Sequence, residues 1–276
     1  MIYELSKCKV CGSEELIKVD KEIVGLDTYV IYKCNSCDSL VSKEKPKKKV
    51  EKECESDYCG NSNRLPDRTP AQIYDKYHKA VYSINCLLED DDECCGTAFA
   101  IGTNGYLLTN AHVVTKVTSE EDGQVNFEIH DNITATSYNG DVLECELIDI
   151  DIMLDIAILK VNKRIDDSVK LDHYESIRTG EKVVTIGNSK GEGIAVTEGL
   201  ISDKDRTVCK KSKILISVPI NKGNSGGPLF NIKGLVVAVV ASGKKDAVAM
   251  NYAIPIKDVI KFVKKVESEE KVRILN

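Results

Sequence analysis

The sequence predicts a mainly β protein: an antiparallel β domain closed by a C-terminal helix and preceded by a small cysteine-bearing unit. Three observations predict it. Short β-type runs such as "GTAFAIG", "YLLTNAHVV", "VLECELIDI", "KVVTIGN" and "GLVVAVVAS" follow one another through residues 96–242, separated by turn residues. Asn-Gly pairs at 104–105 and 139–140 fall between such runs, where left-handed residues close a hairpin. The segment "IKDVIKFVKKVESEEKV" brings Val259, Ile260, Phe262, Val263 and Val266 to one helical face, with charges elsewhere, so one side of it packs on the β domain.

Taken in chain order, residues 1–41 form the first unit. Cys8 and Cys11 in "CKVCG" and Cys34 and Cys37 in "CNSCDS" give two CxxC pairs with 22 residues between them. A tetrahedral zinc ion needs four convergent thiolates, and the two-residue spacing turns each pair of sulfurs inward on a tight knuckle. The intervening segment alternates as a β-hairpin with a turn around Gly25, so the whole reads as a zinc ribbon binding one structural zinc ion through Cys8, Cys11, Cys34 and Cys37. A unit this small has too little core to fold unaided, which makes the metal its source of stability. Residues 42–70, rich in Lys, Glu, Ser, Asn and Pro, read as a flexible linker, and Cys54 and Cys59 within it have no evident partners. Residues 71–276 carry the β domain, entered through a short helix in "PAQIYDKYHKAVYSI" that leads into a strand.

Composition narrows the function classes. The chain has 276 residues, 42% of them hydrophobic, and a formal net charge of -6, which argues against bulk attraction to nucleic acid or an anionic membrane. The ribbon's basic residues are offset by Glu14, Glu15, Asp20, Glu22 and Asp27, and only Tyr3, Tyr29 and Tyr32 offer faces for base stacking, so a protein partner is expected there rather than nucleic acid. The longest apolar stretch, Leu235 to Ala241, is far short of the roughly 20 residues needed to span a bilayer. With no basic-then-apolar leader visible at the start and eleven cysteines, the expected compartment is a reducing cytoplasm, where clustered thiols bind metal.

The chemistry concentrates in "INKGNSGGPLF", residues 220–230. Glycines around Ser225 let the backbone turn tightly and leave amides uncovered, so two N–H groups can face something lodged beside the hydroxyl; the alternative is a glycine-rich turn that happens to hold a serine. Gly223–Gly227 also fits G-x-S-x-G, the nucleophile elbow of a strand–helix turn. That reading fails because all four histidines precede the serine and because strand, not helix, follows it. Serine is a weak nucleophile until an imidazole takes its proton and a shielded carboxylate holds the imidazole in the right tautomer. His112, in "LLTNAHVV", sits where a strand ends in polar residues and resumes with valines, a setting that aims a side chain into a cleft. Asp155, in "DIDIMLDIAILKV", is flanked by apolar residues and needs a hydrogen-bond partner if buried, with Asp149 and Asp151 as competing choices.

"TNAHVV", "DIAILKV" and "GNSGGPLFN", in the order His, Asp, Ser, closely resemble the trypsin-like serine proteases of the HtrA (Deg) group, and the likeness covers nearly all of residues 75–262. "GEKVVTIGNSKGEGIAVTEGLIS" and "NYAIPI" are similar to further segments of that group. The resemblance implies a chymotrypsin-type double β-barrel with its site between the barrels, and a serine endopeptidase acting on protein or peptide substrates. In it Ser225 is the nucleophile, His112 the general base and acid, and Asp155 the orienting carboxylate, while the amides of Gly223 and Ser225 hold the oxyanion; catalysis needs no cofactor. The group's usual PDZ domains have no counterpart in this sequence, which leaves substrate choice to the ribbon, the linker or the loops. Asn224 stands where digestive relatives carry an aspartate, so activation by a freed N-terminal amine is not expected. The absence of an acid from "LISVPINK" and the small residues of "VVAVVAS" point to cleavage after small apolar residues. The rival expectation is a catalytically idle scaffold whose ribbon binds protein or nucleic acid.

Overall fold

The computed structural model describes residues 2–3, 16–24, 27–34, 40–42 and 65–275, apart from 88–92, 122–123, 173–176, 209–210 and 244–250. The chain divides into two units, Met1–Glu55 and Ser56–Asn276.

In the first unit, β1 (Ile2–Tyr3), β2 (Leu16–Val24), β3 (Asp27–Cys34) and β4 (Leu40–Ser42) form one small sheet. Strands β2 and β3 make the expected antiparallel hairpin, in register from Leu16 opposite Cys34 to Val24 opposite Asp27. Strand β4 adds antiparallel to β3, and β1 adds parallel to it. Cys34 is the last residue of β3; Cys8, Cys11 and Cys37 lie outside the described residues.

The second unit begins with α1 (Pro70–Tyr77). Thr69 caps it through a reciprocal box: its hydroxyl accepts from the Gln72 amide at 3.3 Å, and its own amide donates to the Gln72 side chain at 3.0 Å. Proline at the first helical position costs nothing because its missing N–H would have had no intrahelical partner. Just before the helix, the Arg68 amide donates to the Ile232 carbonyl at 2.7 Å, so these residues already lie against a β-turn of the same unit.

Two closed barrels follow. The first is formed by β5 (Val81–Leu87), β6 (Glu93–Ile101), β7 (Tyr106–Thr109), β10 (Thr134–Thr136), β11 (Val142–Asp151) and β12 (Ile156–Val161), running round as β10-β11-β12-β7-β6-β5. The second is formed by β13 (Lys182–Asn188), β14 (Ile194–Val208), β15 (Lys211–Ile216), β16 (Pro228–Asn231), β17 (Val236–Gly243) and β18 (Asn251–Pro255), in the order β13-β14-β15-β18-β17-β16. Closure leaves neither barrel with an unpaired edge along its full length. Their strands are apolar and buried: Ile84, Phe99, Leu107, Leu108, Ile158 and Leu159 have no exposed surface in the first, nor Val183, Ile201, Ile214, Ile216, Leu229 and Val240 in the second, and since neighbours such as Leu107 and Leu108 point to opposite faces, both sides of these strands are covered. Each such side chain contributes about 1.5–3 kcal/mol relative to exposure.

A two-stranded ribbon, β8 (Thr115–Glu121) with β9 (Gln124–Ile129), projects from the first barrel as a separate sheet. Helix α3 (Ile256–Glu269) buries Ile256, Val259, Phe262, Val263 and Val266, the expected face with Ile256 in place of the half-exposed Ile260. Among the described residues no helix is long and apolar enough to cross a bilayer.

Candidate active site

Strand pairing brings His112 and Asp155 together. Strands β7 and β12 are antiparallel neighbours with Thr109 opposite Ala157, so the exit of one strand lies beside the entrance of the other. His112 stands on the single turn α2 (Ala111–Val114) just after β7, and Asp155 is the last residue before β12. The Asp155 carboxylate accepts the His112 backbone N–H at 3.1 Å and faces His112 Nδ1 at 2.9 Å and 3.0 Å through its two oxygens. An acceptor there fixes the neutral ring with its proton on Nδ1 and leaves Nε2 as a free base. Asn110 completes the clamp by donating its amide to the Asp155 carbonyl at 2.8 Å.

Asp155 is not sunk in the apolar run, as its neighbours suggested. Residues 152–155 form a turn, Met153 is 69% exposed, and the Asp155 side chain keeps 25% of its surface in water. The backbone reaches it in the left-handed region, φ 68°, closed by its amide donating to the Asp151 carbonyl at 2.8 Å. The two competing acids serve the backbone: Asp151 accepts the Leu154 amide and Asp149 the Ile150 amide, each at 2.7 Å. From the second barrel, Lys213 on β15 lies within the field of Asp155. Burial pushes its ammonium below the usual lysine range, and the Asp155 carboxylate opposes that shift.

Ser225 lies in the β15–β16 connection. There the Asn224 amide donates to Asn221, Gly226 to Val240, and Gly227 to Asn224. The amides of Gly223 and Ser225 have no partner among the described residues, so two donors flank the serine. Glycine is required at 223 and 226: at φ 98° and 85°, a Cβ would fall 2.1 Å from the Asn188 carbonyl oxygen and 2.2 Å from that of Thr97. Close approach of Gly226 to the Asn110 amide seats Ser225 beside the His112 turn. The hydroxyl itself points elsewhere, donating to the Ala241 carbonyl on β17 at 2.5 Å rather than to His112.

Thr97 is a functional residue that sequence reasoning missed. Fully buried on β6, it donates its amide to the Ser225 carbonyl at 2.8 Å and its hydroxyl to the Gly223 carbonyl at 2.6 Å. The hydroxyl also accepts the Asn188 amide at 2.9 Å, and the Thr97 carbonyl accepts the Thr109 hydroxyl at 2.7 Å. One residue of the first barrel therefore holds the serine loop of the second. The only sequence signal was a hydroxyl in an otherwise apolar strand, "GTAFAIG".

The family described as Trypsin-like peptidase domain matches residues 96–239, just over half of the chain. A Pseudomonas putida protein named probable periplasmic serine endoprotease DegP-like is 35% identical over 167 residues, covering 58% of this chain and 32% of its own length. A Synechocystis protein named putative serine protease HhoB is 33% identical over 168 residues, covering 58% of this chain and 37% of its own. The chain thus spans about a third of the length of the curated relatives it matches. Among solved structures, the HtrA-type protease AlgW with tripeptide superposes with a TM-score of 0.63 at 26% identity, covering 72% of this chain and 63% of that one. The double-barrel architecture is therefore the HtrA-type chymotrypsin fold. The expectation of a cytoplasmic protein is overturned by the curated relatives: those in Pseudomonas putida and Ectopseudomonas mendocina are named periplasmic endoproteases. The cytoplasmic expectation rested on the first twenty residues and on thiol count, neither of which senses a compartment directly.

Proposed function

We propose that this chain, which belongs to the family of trypsin-like peptidase domains, hydrolyses peptide bonds of protein or peptide substrates through Ser225, His112 and Asp155. The observation that carries the reading is the grip of Asp155 on His112 Nδ1. It leaves Nε2 as the base that takes the serine proton. The Ser225 hydroxyl turns from the Ala241 carbonyl toward that nitrogen, giving up one hydrogen bond worth about 0.5–1.5 kcal/mol. Its oxygen then attacks the scissile carbonyl, and the new oxyanion receives the unpaired amides of Gly223 and Ser225, an interaction worth several kcal/mol in such sites. The His112 imidazolium, stabilised by Asp155, returns the proton to the leaving amine. Water repeats the sequence on the acyl-enzyme. The names of the relatives support polypeptide substrates. The small residues of β17, Val239, Val240 and Ala241, support cleavage after small apolar side chains.

A fluorophosphonate probe tests the reading: labelling of the chain that vanishes in Ser225→Ala is expected. A second reading, an idle scaffold, is favoured by one observation, the engagement of Ser225 with Ala241 instead of His112. Absence of labelling at every pH and with candidate polypeptides present would select it.

For the N-terminal unit we propose one zinc ion held by Cys8, Cys11, Cys34 and Cys37, with the ribbon docking a protein partner or substrate. The β2–β3 hairpin, which links the two CxxC pairs, supports this. Metal analysis should find about one zinc per chain, lost in Cys34→Ser.

A further inference from the structure

A cleft of about 730 Å³ opens between the two barrels, lined by Tyr74, His78, Cys95 and Tyr138 together with Asn188 and Lys190. The Asn188–Lys190 wall is tied to the serine loop directly and, at Asn188, through Thr97, whose hydroxyl also donates to the Gly223 carbonyl. Asn188 donates its amide to Thr97, the Lys190 amide donates to the Lys222 carbonyl at 2.7 Å, and Asn221 donates to the Ser189 hydroxyl at 3.0 Å. Asn188 and Lys190 therefore stand directly beside Gly223.

On the opposite side of Ser225 runs β17. Its partner β16 begins at Pro228, opposite Val239, so beyond Val240, which still bonds Gly226 and Gly227, the strand has no strand partner on that side among the described residues, and its Ala241 carbonyl meets the Ser225 hydroxyl. An extended peptide can add to such an edge. A polypeptide paired there and crossing Ser225 would meet the Asn188–Lys190 wall, which lies against Gly223 and Lys222.

The walls of the cleft specify what it favours. His78 stacks on Tyr74 with ring centroids 4.9 Å apart and meets Tyr138 edge-on at 5.4 Å, and its Nδ1 donates to the Tyr74 carbonyl at 2.8 Å, which fixes the ring. The result is a preorganised aromatic shelf. Facing it, Lys190 adopts left-handed backbone angles, φ 57° and ψ 19°, a conformation a non-glycine residue keeps only where its surroundings impose it. Its exposed side chain is in no ion pair with a described residue, and no carboxylate lines the cleft.

We propose that this cleft is the binding site for the leaving-group side of the substrate and that it selects an acidic side chain shortly after the scissile bond, paired with Lys190 while the peptide lies over the Tyr74–His78–Tyr138 shelf. The proposal rests on the peptidase reading for the direction of the chain, but its test needs no catalysis. Ser225→Ala protein is titrated by fluorescence anisotropy with labelled peptides carrying Asp or Lys two residues after a small apolar residue. The Asp peptide should bind about fivefold more tightly, the scale of a partly exposed ion pair. Lys190→Glu in the same background should reverse the order, and Lys190→Gln should abolish it. The same Asp/Lys exchange placed before the apolar residue should change nothing. Equal binding of the two peptides, or an order that survives Lys190→Glu, overturns the proposal. The peptidase reading fails separately, by absence of fluorophosphonate labelling in the unsubstituted chain.

Discussion

Thr97 shows how much of a nucleophile's placement is carried by a residue with no chemistry of its own. Its hydroxyl joins the Gly223 carbonyl to the Asn188 amide, so replacing it with valine leaves a buried acceptor and a buried donor unpaired. With two groups stranded at about 1–3 kcal/mol each, Thr97→Val should lower kcat/KM by at least about one order of magnitude. Thr97→Ser, which keeps the hydroxyl, should restore most of it. The check is steady-state kinetics on a peptide substrate, alongside far-UV circular dichroism to show both variants folded. A purely packing role would make serine the worse substitute, because it loses the methyl group that valine retains. His112, Asp155 and Ser225 can be singled out in the sequence because each stands in a short local motif. Thr97 cannot be, since its meaning comes from the serine loop of the other barrel. The serine rotamer was equally illegible: whether Oγ faces His112 or Ala241 depends on a side-chain torsion that no spacing encodes.

At the scale of elements, the turn carrying His112 depends on the ribbon behind it. His130 follows β9, is buried, and donates its amide to the Val114 carbonyl at 2.9 Å, the last residue of α2. Burial holds its imidazole below the ordinary value of 6.5, with Lys116 acting in the same direction, against the opposing pull of a Thr115 backbone bond and Asp131. A base whose folded pKa is depressed binds fewer protons folded than unfolded in that window. Its contribution to stability is therefore complete above 6.5 and is lost as pH falls below it toward the folded value. Urea unfolding midpoints should decline on acidification below about pH 6.5, and His130→Gln should flatten that slope. The strands themselves were largely readable from alternation and Asn-Gly turns. The tight turn at 152–155 was not, because Ile152, Met153 and Leu154 continue an apolar run while the backbone reverses. There the Asp151 side chain, accepting the Leu154 amide, outweighs hydrophobic pattern.

At the scale of the whole molecule, two closed barrels each bring an incomplete set of groups. The first presents an imidazole with its carboxylate, and the second a hydroxyl beside two amides that have no partner among the described residues. The proposed function needs their convergence, which chain order His, Asp, Ser reflects only indirectly. The small N-terminal sheet has its own strand pairing, so its stability and that of the barrels should separate. On the proposed zinc reading, a chelator should abolish a low-temperature unfolding transition belonging to residues 1–55, leaving the transition of the barrels and the hydrolysis of short substrates unchanged; differential scanning calorimetry and a chromogenic assay read both.

The most direct measurement is an X-ray structure of the protein reacted with a small aliphatic peptidyl boronate. The account predicts a covalent bond from boron to Ser225 Oγ and release of that oxygen from Ala241. One boronate oxygen should lie about 2.7–3.1 Å from the amides of both Gly223 and Ser225. A boronate that leaves Ser225 unmodified under saturating conditions, or one bonded to it with its oxygens turned away from those two amides, would contradict the account.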